Sequence, residues 1–156
     1  ALCLATDPVD PDVMQRKPRL RNERITDGGF IGRMFFTGFL TAGVTFAVYY
    51  YALQTQGDVV ARTQAFATLV FAELLRAFGA RSDTRPVWRI PLRTNITLVL
   101  VVMITFGLQV WSHHNTMLGL FLKTSYLSLG DCIMLLIVGA IPLLALEGVK
   151  VWRNAA

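Results

Sequence analysis

The sequence predicts an all-α membrane protein, a four-helix transmembrane bundle. Apolar residues make up 54% of the 156-residue chain and charged residues only 16%, whereas soluble domains carry about 45–50% and about 25%. The apolar residues are gathered into four runs, each near the roughly 20 residues that a bilayer requires. Basic residues crowd alternate connections between those runs, as expected of a chain threaded back and forth through a membrane.

Residues 1–27 come first. The stretch "ATDPVDPDVMQRKPRLRNERITDGG" is polar and charged, and Pro8, Pro11 and Pro18 forbid a continuous helix. It reads as a cytoplasmic loop leading into a transmembrane domain over 28–156. The first span, "GGFIGRMFFTGFLTAGVTFAVYYYAL" (28–53), has Arg33 within snorkelling reach of one interface and Tyr49, Tyr50 and Tyr51 at the other. The second, "ARTQAFATLVFAELLRAFGA" (61–80), is the least apolar and is read as a span because of its neighbours. The third, "NITLVLVVMITFGLQVW" (95–111), ends on Trp111 as an interface anchor. The fourth runs from Leu129 to Trp152 and is embedded over 129–149. Pro142 predicts a kink there, with one freed carbonyl that a neighbouring helix must satisfy.

The net charge is +5, and 13 of the 15 Lys and Arg residues fall on one side of such a threading. Only Arg62 and Lys123 lie on the other. The positive-inside rule then places both termini in the cytoplasm. Arginines that flank apolar runs describe topology, so no nucleic-acid partner is expected. Cys3 and Cys132 are far apart, with no CxxC spacing, and read as free thiols. The opening residues carry no basic-then-apolar leader, and Ala1 in place of methionine points to a processed chain or a piece of a longer one.

The motifs exclude much. There is no GxxxxGK[ST], GxGxxG, GxSxG or HExxH, so the chain has no nucleotide site, no cofactor site and no catalytic residues of its own. His113 and His114 are adjacent and read as a surface pair. Glu73 stands out, because a carboxylate inside a span costs a few kcal/mol unless something compensates it. It is expected to face the bundle interior. Three readings are open: pairing with Arg76 at i+3, protonation, or service as a cation ligand. Gln64 and Thr68 line one face of the same helix, near Glu73 but off its stripe. They and the pair Thr105 and Gln109 read first as packing hydrogen bonds. Asp131 and Glu147 lie near the ends of the fourth span and are expected at the interfaces.

Three stretches resemble type II P-type cation-transporting ATPases. "ALCLATDPVDPDVMQRKPR" is similar to the end of their sixth membrane helix and the D-P-x-D-P-D-V-M and R-x-P-R loop after it. "RTQAFATLVFAELLRAFGARS" resembles their eighth helix, and "YLSLGDCIMLLIVGAIPLLALEGVKVW" their tenth. The resemblance covers essentially the whole chain, and the subgroup it resembles most is the calcium-pump-like one. It implies that the four spans are helices seven to ten of a ten-helix pump. It also implies that Glu73 matches the glutamate which the eighth helix of calcium pumps contributes to an ion site. Arg76, where relatives often carry Asn or His, would modulate that site, with Gln64 and Thr68 beside it. Asp7, Asp10 and Asp12 would either couple the loop to the phosphorylation domain or serve as turn residues. The parent pump would use ATP and Mg through an aspartyl-phosphate to move Ca or another cation. Its other helices and cytoplasmic domains, with the lipid bilayer, would be the partners of this chain. The phosphorylation site and the remaining ion ligands are absent from these residues. A second expectation therefore stands beside the first: an autonomous four-helix membrane protein acting as partner or regulator. A small channel built from oligomerised spans is a third.

Overall fold

The computed structural model describes residues 28–82, 86–115, 117–118, 120 and 125–155. Helix α1, Gly28–Gln56, is a mostly apolar helix of 29 residues without proline. It stops at Gly57, whose φ of +89° suits glycine and few other residues. Helix α2, Asp58–Gly79, starts at the next residue, and the Gly57 carbonyl accepts the Ala61 N–H at 3.0 Å. Asp58 sits in the first turn, where the helix dipole favours an acid, and Arg62 pairs with it at 2.8 Å. One residue thus reverses the chain, and α1 and α2 pack as an antiparallel hairpin.

The α1 face turned to the bundle carries Thr37, Thr41 and Ala52, all buried. Both threonine hydroxyls donate to carbonyls of their own helix, Thr37 to Arg33 at 2.8 Å and Thr41 to Thr37 at 2.9 Å, so these hydroxyls need no partner from another helix. On α2 the buried positions are mostly small: Ala61, Thr63, Ala67, Thr68, Ala72 and Gly79. Small side chains let several helices approach one backbone closely. Helix α2 is the hub, touched by every other helix.

Beyond α2 the chain makes two 3₁₀ turns, Val87–Arg89 and Leu92–Asn95, preceded by Pro86 and Pro91 with φ of −65° and −59°. Helix α3, Ile96–His114, is capped by Asn95, whose side chain accepts the Leu98 N–H at 2.9 Å. Helix α4, Leu129–Gly139, opens with a capping box in which Ser128 and Asp131 bond each other's backbone N–H. The Pro142 site falls at a one-residue interruption, Ala140, whose N–H still bonds the Leu136 carbonyl at 3.0 Å. Helix α5, Ile141–Ala155, begins just after Ala140, because Pro142 has no N–H to continue the ladder.

The core lies where α2, α3, α4 and the segment before α4 meet, around Ala67, Phe71, Leu127, Cys132 and Leu135. The Phe71 and Phe106 rings stand 5.3 Å apart, tilted by 35°. Elsewhere large apolar side chains face outward. Phe39 is 83% exposed, an inverted surface suited to lipid. Among the described residues, three segments are long and apolar enough to cross a membrane: Ile31–Gln56, Arg93–His114 and Leu129–Trp152. Helix α2 falls short of that hydropathy; its neighbours cover one face of it, while Phe66 and Leu69 stay exposed. A polar helix survives in such a setting when others shield it from lipid.

Helix α4 crosses α2 at Gly139, where an added Cβ would lie 3.1 Å from the Ala72 nitrogen and 3.3 Å from the Thr68 oxygen. Both are backbone atoms, so neither can swing aside. Gly139→Ala should therefore lower stability by about 1–3 kcal/mol. Gly148→Ala, with nothing within 4 Å, should leave it unchanged or slightly raised. Unfolding midpoints of the two variants in detergent provide the check.

Candidate functional site

Glu73 and Arg76 lie on consecutive turns of α2, and their side chains meet at 2.6 Å. Glu73 does not point into the packing between the described helices. Its side chain is 45% exposed and that of Arg76 41%, on the outer face of the block. The reason is angular. Glu73 is five residues past Thr68, about 140° round a helix that turns roughly 100° per residue. The buried stripe through Gln64, Thr68, Phe71 and Ala72 therefore leaves it outside.

Gln64 and Thr68 are not brought to Glu73. The Thr68 hydroxyl donates to the Gln64 carbonyl at 2.8 Å, and the Gln64 amide reaches Gln56 at 3.4 Å. Gln64 lines a groove of about 320 Å³ between α1, α2 and α4, together with Tyr51 and Asp131. Asp7, Asp10 and Asp12 lie outside the described residues. Among the described residues no three His, Cys, Asp or Glu side chains gather to hold a metal ion. A cation at Glu73 would need its other ligands from elsewhere.

The acidic residue that the fold does bury is Glu147. Expected at an interface, it is 1% exposed, and Lys150 beside it 5%. Their charged atoms are 2.7 Å apart. The second Glu147 oxygen accepts the Val87 N–H at 2.9 Å, and the Lys150 ammonium donates to the Gly79 carbonyl at 2.7 Å. Each charge thus has an opposite charge and a backbone dipole, which a buried ion pair needs to offset its desolvation. The backbone partners are themselves end groups. The Gly79 carbonyl closes α2, where the dipole favours a cation, and Val87 opens a 3₁₀ turn. An i,i+3 Glu–Lys pair within a run this apolar was the signal available for this contact.

The histidines also differ from expectation. They close the last turn of α3 and are not a surface pair. His113 is buried, with its Nε2 3.1 Å from the Gln109 amide, while His114 is exposed and stacks edgewise on Tyr126 at 4.9 Å. Thr105 donates to the Val101 carbonyl at 2.8 Å and makes no pair with Gln109. At the same end of the block, the Ser125 N–H donates to the Thr63 hydroxyl at 2.9 Å, tying the segment before α4 to α2. Among the described residues, Thr45 Oγ1 and His113 Nδ1 are buried without a hydrogen-bond partner.

A helical block with an apolar exterior, polar contacts turned inward and the exposed pairs Asp58–Arg62 and Glu73–Arg76 has the character of an integral membrane module. Its family is a specific one. Residues 1–152 match the family model described as "Cation transporting ATPase, C-terminus", and the chain belongs to that family. Over 99% of its length it is 30% identical to calcium-transporting ATPase 1 of Bacillus cereus, covering 19% of that protein. It is likewise 30% identical over 99% to the calcium-transporting ATPase of Bacillus subtilis, covering 17% of it. Identity is 25% over 99% with the mouse calcium-transporting ATPase type 2C member 2, of which it covers 16%. The chain thus spans less than a fifth of the length of these relatives. The resemblance to type II P-type ATPases read from the loop and helix motifs holds over nearly the whole chain.

Removing one member of the buried pair isolates the other charge. Lys150→Met should cost about 3–5 kcal/mol, and Lys150→Met combined with Glu147→Gln should recover most of that loss. Detergent unfolding of the two single variants and the double variant measures it as a coupling energy.

Proposed function

We propose that this chain forms the C-terminal membrane block of an ATP-driven calcium pump. Its helical segments cross the bilayer four times as helices seven to ten, with both termini cytoplasmic. Helix α2 serves as the eighth helix despite its modest hydropathy, with one face packed on neighbouring helices and the other left for the rest of the pump. Residues 28–156 form the transmembrane domain. Residues 1–27 form the cytoplasmic loop that enters it, and Asp7, Asp10 and Asp12 relay movement of the phosphorylation domain. ATP and Mg act on the rest of the pump.

Within this block Glu73 offers one oxygen ligand to the transported cation. The observation that carries this assignment is the contrast between two glutamates that each have a basic residue at i+3. Glu147 is enclosed, and both its oxygens bond to protein. Glu73 is half-exposed, and among the described residues only Arg76 bonds to it. A hard carboxylate oxygen on an outward face suits Ca²⁺, which takes six to eight oxygen ligands gathered from several elements. Arg76 holds the carboxylate while the site is empty and swings away when the ion arrives. Gln64 and Thr68 act on the site only through the packing of α2.

Glu73→Gln in the full-length pump should lower calcium affinity in phosphorylation from ATP by about tenfold, the scale of one charge-assisted contact. Backward phosphorylation by inorganic phosphate should be largely unaffected. Unchanged calcium affinity would return Glu73 to a simple pairing role with Arg76.

A further inference from the structure

We infer that Glu147 and Lys150 are positioning residues for the ion-site helix, an inference that rests on the reading of Glu73 just given. The pair belongs to α5, yet each member holds a backbone group of another element. Lys150 grips the Gly79 carbonyl at 2.7 Å, and Glu147 grips the Val87 N–H at 2.9 Å. The grip on α2 falls close to the site. Gly79 is the last residue of α2, three positions beyond Arg76 and six beyond Glu73. One hydrogen-bonded turn lies between them, closed by the Ala80 N–H on the Arg76 carbonyl at 3.0 Å. A helical turn transmits displacement almost rigidly, so the height and rotation of α2 at Glu73 follow the position of the Gly79 carbonyl.

The second grip brings in the connection between α2 and α3. Val87 opens its first 3₁₀ turn. Arg81, just past α2, ties the same connection again through the Thr94 hydroxyl at 2.6 Å and the Pro91 carbonyl at 3.4 Å. Helix α5 therefore reads the place of this connection and of the ion-site helix together. The two grips are joined by the 2.7 Å contact between Glu147 and Lys150. If either backbone partner moves, a charged group almost wholly buried loses one of its bonds. The arrangement is then held or released as a unit, without continuous deformation.

Two features favour register over mere stability. A buried ion pair contributes little net stability compared with apolar side chains of the same volume. The crossing of α5 over α2 is also shaped to admit it, because Gly79 has no side chain where a Cβ would lie 2.7 Å from Leu143 Cδ1.

The test uses the full-length protein and reads the calcium concentration for half-maximal phosphorylation from ATP. Accumulation in the membrane and the maximal level of phosphorylation from inorganic phosphate are read beside it. Glu147→Gln leaves Lys150 buried without its partner and should lower accumulation; in the protein that folds it should raise that calcium concentration about three- to tenfold, with phosphate-derived phosphoenzyme per folded molecule near normal. Gly79→Ala removes no charge; its Cβ would meet the movable tip of Leu143 at 2.7 Å and Glu147 Oε1 at 3.4 Å, and it should shift calcium dependence in the same direction. Each shift should shrink when Glu73→Gln is already present, since both act through that carboxylate. Unmoved calcium dependence in both variants, against a calcium-dependent wild type, overturns this inference alone. So does loss of folded protein in both, which assigns the pair to folding. A wild type whose phosphorylation ignores calcium overturns the functional reading, and this inference with it.

Discussion

In the low-dielectric interior of a membrane block, a polar group that loses its protein partner has no water to replace it. That constraint governs the end of this bundle where α2, α5 and the α2–α3 connection meet. Glu147 and Lys150 are almost fully enclosed, and each has an opposite charge and a backbone dipole within 2.9 Å. The backbone groups they satisfy are the orphans that helical ends always leave. One ion pair therefore closes the end of α2 and the start of a 3₁₀ turn while holding the last helix to both.

The same constraint explains the composition of α2. Other helices approach it from several directions, so its buried face is mostly alanine, threonine and glycine, with Phe71 and Gln64 the large exceptions. Threonines on a crowded face need local acceptors, and Thr63 and Thr68 donate to carbonyls one turn back at 2.8 Å. Thr63 then has lone pairs left for Ser125, which docks the segment before α4. Low hydropathy in α2 follows from its central place. The lipid-facing work falls to α1, α3 and the α4–α5 pair, whose phenylalanines, leucines and isoleucines point outward.

Two glutamates with the same local pattern end in opposite situations. Glu73 and Glu147 each precede a basic residue by three positions on a helix. Glu147 falls where α5 crosses α2 and is sealed. Glu73 lies about 140° round α2 from the buried stripe and stays open. The open carboxylate is the one proposed above to meet the transported ion. A sealed one is suited to holding elements in register.

Several properties were legible in the residues alone: the membrane character, the helical class, the positions of the long apolar segments and the likeness to the ATPase family. These rest on local composition and on short motifs such as "DPVDPDVM", which keep their meaning whatever the rest of the chain does. Other features came only with the tertiary structure. Glu147 became a sealed ion pair in place of an interface residue, His113 a buried neighbour of Gln109 in place of a surface group, and Glu73 an acid left open on the outer face of the described helices. Burial is not a property of a residue or of its near neighbours. It is decided by which other segment passes overhead. The partners that seal Glu147 and Lys150 stand 60 and 71 positions away in the chain, a distance over which periodicity carries no information.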